Sequence, residues 1–216
     1  MKVLALLRND ILTGILKPGQ QIIQDTLATR YNVSRVPLRE AMKILEGEGQ
    51  VVHHPHRGYF VAELDPTDLQ EVYTLRDLLE REAIYAAIPL MTDSDIHQVA
   101  VFADEVNLAA ASGDLLAITL ANRRFHFAIF ECSRMPRLVR LLTQLWDASD
   151  VYRSVYFAAE GRMHQIAKEH DVIIRALRVR DTESVCQGQS NHRRNALTSL
   201  TALMSASDQV GVLENL

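Results

Sequence analysis

A chain of 216 residues with 48% hydrophobic and 23% charged content has enough apolar mass to bury a core, which excludes a disordered or fibrous protein and points to one domain or two small ones. Its formal charge of −4 is unevenly spread: residues 1–64 hold eight Lys or Arg against six Asp or Glu, and residues 65–216 hold fifteen against twenty-one. A mildly basic head on an acidic body implies a different partner for each part.

In chain order, MKVLALLRND opens with a five-residue apolar run that Arg8 and Asp10 interrupt. That is too short for a signal-peptide core or a bilayer span, so a cytoplasmic protein without membrane association is expected. The periodicity predicts a first helix over residues 3–13, stopped at Gly14, with Pro18-Gly19 turning the chain into a short extended piece. DTLATRYNVSRVPLREAMKILEGEG then reads as two helices separated by Tyr31-Asn32-Val33. Ser34 is a good N-cap for the second, and Pro37 still lies in its first turn, where a missing N–H costs little. VVHHPHRGYFV supplies two extended runs around Pro55-His56-Arg57-Gly58, a hairpin with a basic tip. Helix, helix-turn-helix, hairpin is the order of a winged helix.

On the helix that begins at Ser34, Leu38, Ala41, Met42 and Leu45 share one face, while Arg35, Arg39 and Lys43 recur every fourth residue on another. Such a helix fits the major groove of B-DNA, where arginine can take guanine O6 and N7 in bidentate fashion and residues near the N-terminus reach deepest. Arg35 and Arg39 are the base-reading candidates. Ser34 and the first-turn N–H groups suit a phosphate, and Arg57 suits the minor groove or the backbone. An isolated stripe of this kind is more often a solvated face, but here a helix-turn-helix precedes it and a basic wing follows.

From Asp65 onward the pattern is helical. DPTDLQEVYTLRDLLEREAIYAAI starts at an Asp-Pro helix entry and runs apolar at Leu69, Val72, Leu75, Leu79 and Ala83. Similar patterns cover residues 92–111, 115–132, 135–158, 163–179 and 182–205, broken at SGD, SRMP, AAEG and VRD. The expected fold is therefore mostly α: a winged helix-turn-helix over residues 1–64 and an antiparallel six-helix bundle over residues 65–216. Cys132 and Cys186 lie in separate segments with no motif spacing and read as buried thiols rather than a disulfide or metal pair.

Three of the body's helices turn a histidine toward their apolar stripe. His126 lies beside Ile118, Phe125 and Ile129, His170 beside Ile166, Ile173, Ile174 and Leu177, and His192 beside Val185, Ala196 and Leu203. Asn122 adds an amide one turn before His126. Buried polar groups need partners, and protonated imidazoles in one place would repel one another. A divalent metal satisfies all three lone pairs at once; a hydrogen-bonded polar pocket that takes its ligand directly is the alternative. His164 faces another direction, and His53, His54 and His56 read as solvated residues near the wing.

ILTGILKPGQQI, LATRYNVSRVPLREAMKILEGEG and HPHRGYFV resemble the GntR family of bacterial transcription regulators, in its FadR-like branch with an all-helical FCD-type effector domain. The resemblance resumes in the body and covers nearly the whole chain. It implies DNA contacts from Ser34, Arg35, Pro37 and Arg39, with Arg57 and Gly58 in the wing. Some members carry arginine where this chain has Asp25, and that contact is not carried over. The resemblance further implies a metal held by an Asp-x-x-x-His pair and two later histidines, which falls on Asn122, His126, His170 and His192.

Here Asn122 replaces the usual carboxylate. An amide oxygen can coordinate but brings no negative charge, so the ion should be held less tightly and the site should favour an anion. Arg76 matches a family arginine that tends to face the pocket, where it could clamp an effector carboxylate; a surface ion pair is the other reading. The expectation is a non-enzymatic, ligand-responsive regulator. A homodimer reads a near-palindromic operator in double-stranded DNA, and an organic acid or sugar acid binds at a divalent ion of the Zn, Ni or Mn type. The rival is a metal-dependent enzyme acting on a small carboxylate, in which the winged head would be idle.

Overall fold

The structure, a computed structural model, describes residues 2–63, 65–150, 152 and 162–213, the last stretch with side chains from 163 to 205. The head comprises α1 (Lys2–Leu12), β1 (Gln21–Ile22), α2 (Gln24–Tyr31), α3 (Arg35–Gly47), β2 (Val51–His54) and β3 (Gly58–Val61). Asn32, at φ 53°, takes the left-handed conformation that lets α2 end and the chain turn into α3. The three strands form one antiparallel sheet in the order β1-β3-β2, with Val51 opposite Val61 and Ile22 opposite Tyr59. His56 at φ 63° and Gly58 at φ 88° close the hairpin, where the Arg57 N–H donates to the His54 carbonyl.

The head has its own core. Leu38, Ala41, Met42 and Leu45 on α3 are buried against Val3, Leu7 and Ile11 of α1, Leu27 of α2 and Val51 and Val61 of the sheet. Each fully buried Leu or Met stabilises by roughly 1.5–3 kcal/mol relative to exposure. This packing fixes which face of α3 is left for solvent.

The body comprises α4 (Pro66–Ala87), α5 (Asp93–Ser112), α6 (Leu115–Phe130), a 3-10 turn (Glu131–Ser133), α7 (Pro136–Ala148), α8 (Arg162–Arg178) and α9 (Thr182–Leu213). Asp65 caps α4 by accepting from the Thr67 N–H, with Pro66 as the first helical residue. Thr92 and Asp95 form a reciprocal capping box on α5. α6 packs on α5 and α4, α9 on α8 and α4, α5 on α8, and α7 on α4. The last helix extends beyond its expected end at 205. The continuation of α7 expected over residues 153–158, and the AAEG break, lie outside the described residues. Among the described residues no helix is long and apolar enough to cross a membrane.

Three expectations fail in detail. Ser34 occupies the N-cap of α3, but its side chain makes no capping hydrogen bond, so the first-turn donors are left to other partners. Leu75 is 41% exposed, because the buried stripe of α4 runs through Leu69, Val72, Tyr73, Arg76, Glu80, Ala83 and Ala87. A polar pair that satisfies itself has taken the inner face. Cys186 is buried, whereas Cys132 is only half-buried and donates from Sγ to the Ala128 carbonyl.

Candidate metal centre and nucleic-acid interface

α6, α8 and α9 each bring one imidazole to a common place in the bundle. His126, His170 and His192 are 0%, 1% and 8% exposed, and one ring nitrogen from each lies within 4.8 Å of the others. Ring centroids are 5.3 Å apart for His126 and His170, 4.9 Å for His126 and His192, and 5.1 Å for His170 and His192. Apolar periodicity puts them there: the neighbours Phe125, Ile166, Ile173, Val185 and Ala196 are all buried.

Two of the rings are oriented from behind. Gln189 Nε2 donates to the Glu80 carboxylate at 2.9 Å, so the amide oxygen is the atom that meets His126 Nδ1 at 3.0 Å. Nδ1 therefore carries the proton, and Nε2 carries the lone pair a cation would use. His192 Nδ1 likewise donates to Glu169 Oε2 at 2.6 Å. Glu169 also accepts from Asn195 Nδ2 at 2.6 Å and Gln165 Nε2 at 2.8 Å. Burial pushes this carboxyl up, but the hydrogen bond and charge of His192 and the two amides outweigh it and hold Glu169 below the usual range. An imidazole whose second nitrogen is held by a carboxylate or amide is the arrangement of a metal-binding histidine.

His170 is different. Its ring stacks on Phe125 with centroids 3.9 Å apart, and neither nitrogen has a hydrogen-bond partner among the described residues. Burial, and then the neighbouring His192, hold its pKa well below the ordinary imidazole value. It is a neutral donor in an apolar wall. Asn122, 4% exposed and one turn before His126, leaves Oδ1 buried and without a described partner. Orphaned lone pairs of this kind are rare and ask for an ion, a water or a ligand. The donor set therefore fits a borderline divalent cation with nitrogen and oxygen ligands.

Behind the histidines lies a buried charge network that the sequence reading missed. Glu80, fully buried, accepts from Arg76 Nε, Trp146 Nε1 and Gln189 Nε2 at 2.9 Å each and from Arg193 Nη1 at 2.5 Å. Arg193 also pairs with Asp77; burial first, and Arg76 second, push its pKa down. The spacing of Arg76 and Glu80 was the available signal, since residues four apart on a helix meet. Arg76 is not on the surface. It is 5% exposed, donates to Ser149 Oγ at 3.4 Å and lies over the Trp146 ring at 4.1 Å.

In the head, Ser34, Arg35, Arg39, Lys43 and Arg57 are exposed, and Pro37 and Gly58 are half-exposed. Arg39 and Lys43 form no ion pair among the described residues, whereas Arg35 Nε meets Asp25 Oδ1 at 2.5 Å. Arg57 lies over the Phe60 ring at 5.2 Å, and its carbonyl accepts from Gln21 Nε2 at 2.7 Å. The wing tip is thus braced on the sheet while its guanidinium stays accessible. His164, His53, His54 and His56 are exposed and stand apart from the buried cluster.

With this geometry in view, residues 1–61 match the profile of the bacterial regulatory proteins of the gntR family, and residues 71–195 match the FCD domain. The HTH-type transcriptional regulator McbR of Escherichia coli is 29% identical over 82% of this chain and 81% of its own length. The Nta operon transcriptional regulator of Aminobacter aminovorans is 31% identical over 69% of this chain and 70% of its own length. The solved structure of E. coli McbR superposes with a TM-score of 0.82 at 25% identity, covering 93% of this chain and 96% of McbR. A GntR regulator from Rhodococcus sp. RHA1 shares the fold with a TM-score of 0.79 at 24% identity, covering 93% of this chain and 96% of that one.

Proposed function

Because the chain belongs to the gntR family of DNA-binding bacterial transcription regulators and carries an FCD domain, we propose that it is a metal-assisted sensor of a small organic acid that changes the grip of a homodimer on a near-palindromic operator. The single observation that carries this reading is the convergence of His126, His170 and His192 in a bundle attached to a winged helix. The domain division at residues 64 and 65 and a cytoplasmic location belong to the same reading.

Asn122, His126, His170 and His192 would hold the ion, which when bound supplies a positive centre with positions open to an effector carboxylate. The chain's own residues prepare that role. Gln189 and Glu169 fix the tautomers of His126 and His192, and the four ligands bring no negative charge of their own. Glu80 is matched by Arg76 and Arg193, so an anionic effector meets no uncompensated carboxylate from that network. Arg76 is the side chain we assign to an effector's carboxylate, positioned by its bond to Glu80.

In the head, Arg35 and Arg39 would read base edges, Lys43 and Ser34 would meet phosphates, and Pro37, Arg57 and Gly58 would complete the contact from the first turn and the wing. A route between the two parts is supported by α6 itself. Asn122 and His126 lie on its inner side, while the adjacent Arg123 pairs with Asp147 at 2.5 Å and Asp150 at 3.8 Å. These residues line a cavity of about 620 Å³ that α6 and α7 share with Arg8, Glu48 and Gln50 of the head. An effector that prefers one placement of α6 then shifts the placement of the head, and operator and effector affinities are linked reciprocally.

The test is metal analysis of the purified protein and its His170→Ala variant, beside operator binding with and without chelator. Stoichiometric metal in the wild type and loss in the variant is expected. Equal metal content in both overturns the ligand set.

A further inference from the structure

The geometry points to Asp25 as the residue that sets the base preference of Arg35, and this inference rests on the DNA-reading role given above to α3. Arg35 is the first residue of α3, so its side chain leans back toward the helix start. There it meets the first turn of α2, where Asp25 lies. Asp25 Oδ1 takes Arg35 Nε at 2.5 Å.

A guanidinium offers two hydrogen-bonding edges: one formed by Nε and an Nη, the other by the two Nη groups. With Nε held by a carboxylate, the end-on pair of Nη groups is the edge left for a base. That pair matches guanine O6 and N7. Asp25 therefore removes the side-on mode and the many rotamers of an unbraced arginine, and leaves one way of reading.

Stability does not account for the pair. Arg35 and Asp25 are 65% and 64% exposed at the side chain, and ion pairs so open to water contribute little to folding. Beside a duplex, moreover, a carboxylate is repelled by the phosphates and weakens sequence-independent binding. Asp25 thus trades general affinity for discrimination, and its removal should move the two in opposite directions. This opposite movement separates a positioning residue from a merely structural one.

The experiment is selection from randomised duplexes, followed by affinities for the selected and a random duplex at one salt concentration. It uses the full-length protein and its Asp25→Ala, Asp25→Asn and Arg35→Ala variants. Arg35→Ala should lose about tenfold of its preference at one base pair. Asp25→Ala should lose about three- to tenfold at that same base pair while its affinity for random duplex rises about threefold. Asp25→Asn keeps an oxygen for Nε, so it should gain the same random affinity and retain most of the preference. Thermal midpoints of all four proteins should agree. A base profile in Asp25→Ala identical to wild type, with Arg35→Ala flattened, overturns the role of Asp25 and leaves the reading of α3 intact. An Asn variant as flat as the Ala variant overturns it too. An unaltered profile in Arg35→Ala instead overturns the recognition role of Arg35 itself.

Discussion

Gln189 links Glu80 to His126: its amide nitrogen donates to the carboxylate at 2.9 Å and its oxygen meets His126 Nδ1 at 3.0 Å. The buried carboxylate on α4 thereby sets the tautomer of a ring on α6 through a side chain on α9. Replacing Gln189 by Leu removes that relay without adding charge. Divalent-metal affinity should fall about 10- to 100-fold, read by competition with a chromogenic chelator. Affinity equal to wild type would show that the ring needs no such support.

Glu80 itself should matter far more to folding than an ion pair on the outside. In Glu80→Ala the guanidiniums of Arg76 and Arg193, 5% and 6% exposed, lose their shared carboxylate. Arg193 keeps Asp77, but Arg76 is left without a counter-ion, and leaving one such buried charge unpaired costs on the order of 3–5 kcal/mol. Asp93→Ala, which breaks the exposed pair with Arg180 at 2.8 Å, should cost less than about 1 kcal/mol. Urea unfolding of the two variants checks the contrast.

Asn122→Asp should separate the folded protein's response to metal from its stability without metal. The buried Oδ1 has no described partner, so a carboxylate there is unpaired in chelator and the thermal midpoint should drop below wild type. With a divalent ion present the added charge should tighten binding and reverse the order. The check is a pair of melting curves, and a midpoint order that is the same in both conditions refutes Asn122 as a ligand.

His170 gives the metal-free protein a defined acid weakness. Its pKa in the fold is lowered, first by burial and then by His192. Above about pH 6.5 the ring is neutral in both folded and unfolded chains, and the contribution to stability is intact. Below that value the unfolded chain gains a proton that the folded ring refuses. Unfolding free energy therefore falls with pH toward the folded pKa, with a slope of up to about 1.4 kcal/mol per pH unit from this group. Denaturant titrations in chelator at about pH 7.5 and about pH 5.5 measure it. His170→Leu should flatten the dependence.

On the DNA side, Arg39→Ala should cost about 1–3 kcal/mol of operator binding and relax one base preference, whereas Arg57→Ala should mainly reduce the salt slope by about one unit. Filter-binding or anisotropy titrations over a range of salt distinguish the two effects.

Much of this was legible in the sequence because it depends on periodicity within one helix. The buried face of α3 is Leu38, Ala41, Met42 and Leu45 as the spacing implies, and Asn122, His126, His170 and His192 are all buried because each falls on an apolar stripe. What was not legible depends on how helices sit against one another. Glu169 reaches His192 across 23 residues, and Glu80 reaches Gln189 across 109, so no local pattern marks them. Leu75 was misplaced because counting apolar residues cannot see that Arg76 and Glu80 neutralise each other inside. Ser34 lies at the right position, but whether its hydroxyl turns to cap the helix is decided by its rotamer rather than by residue type.

Trp146 is the chain's single tryptophan, and its indole donates to Glu80, lies beneath Arg76 at 4.1 Å and stands 5.1 Å from His126. The protein therefore carries a native fluorophore at the node where the buried histidines and the charge network meet, with none in the head to dilute its emission. Emission from this one ring reports on the surroundings of His126 and Glu80 alone, so any ion or small acid that enters there should register as an optical change in the unlabelled molecule.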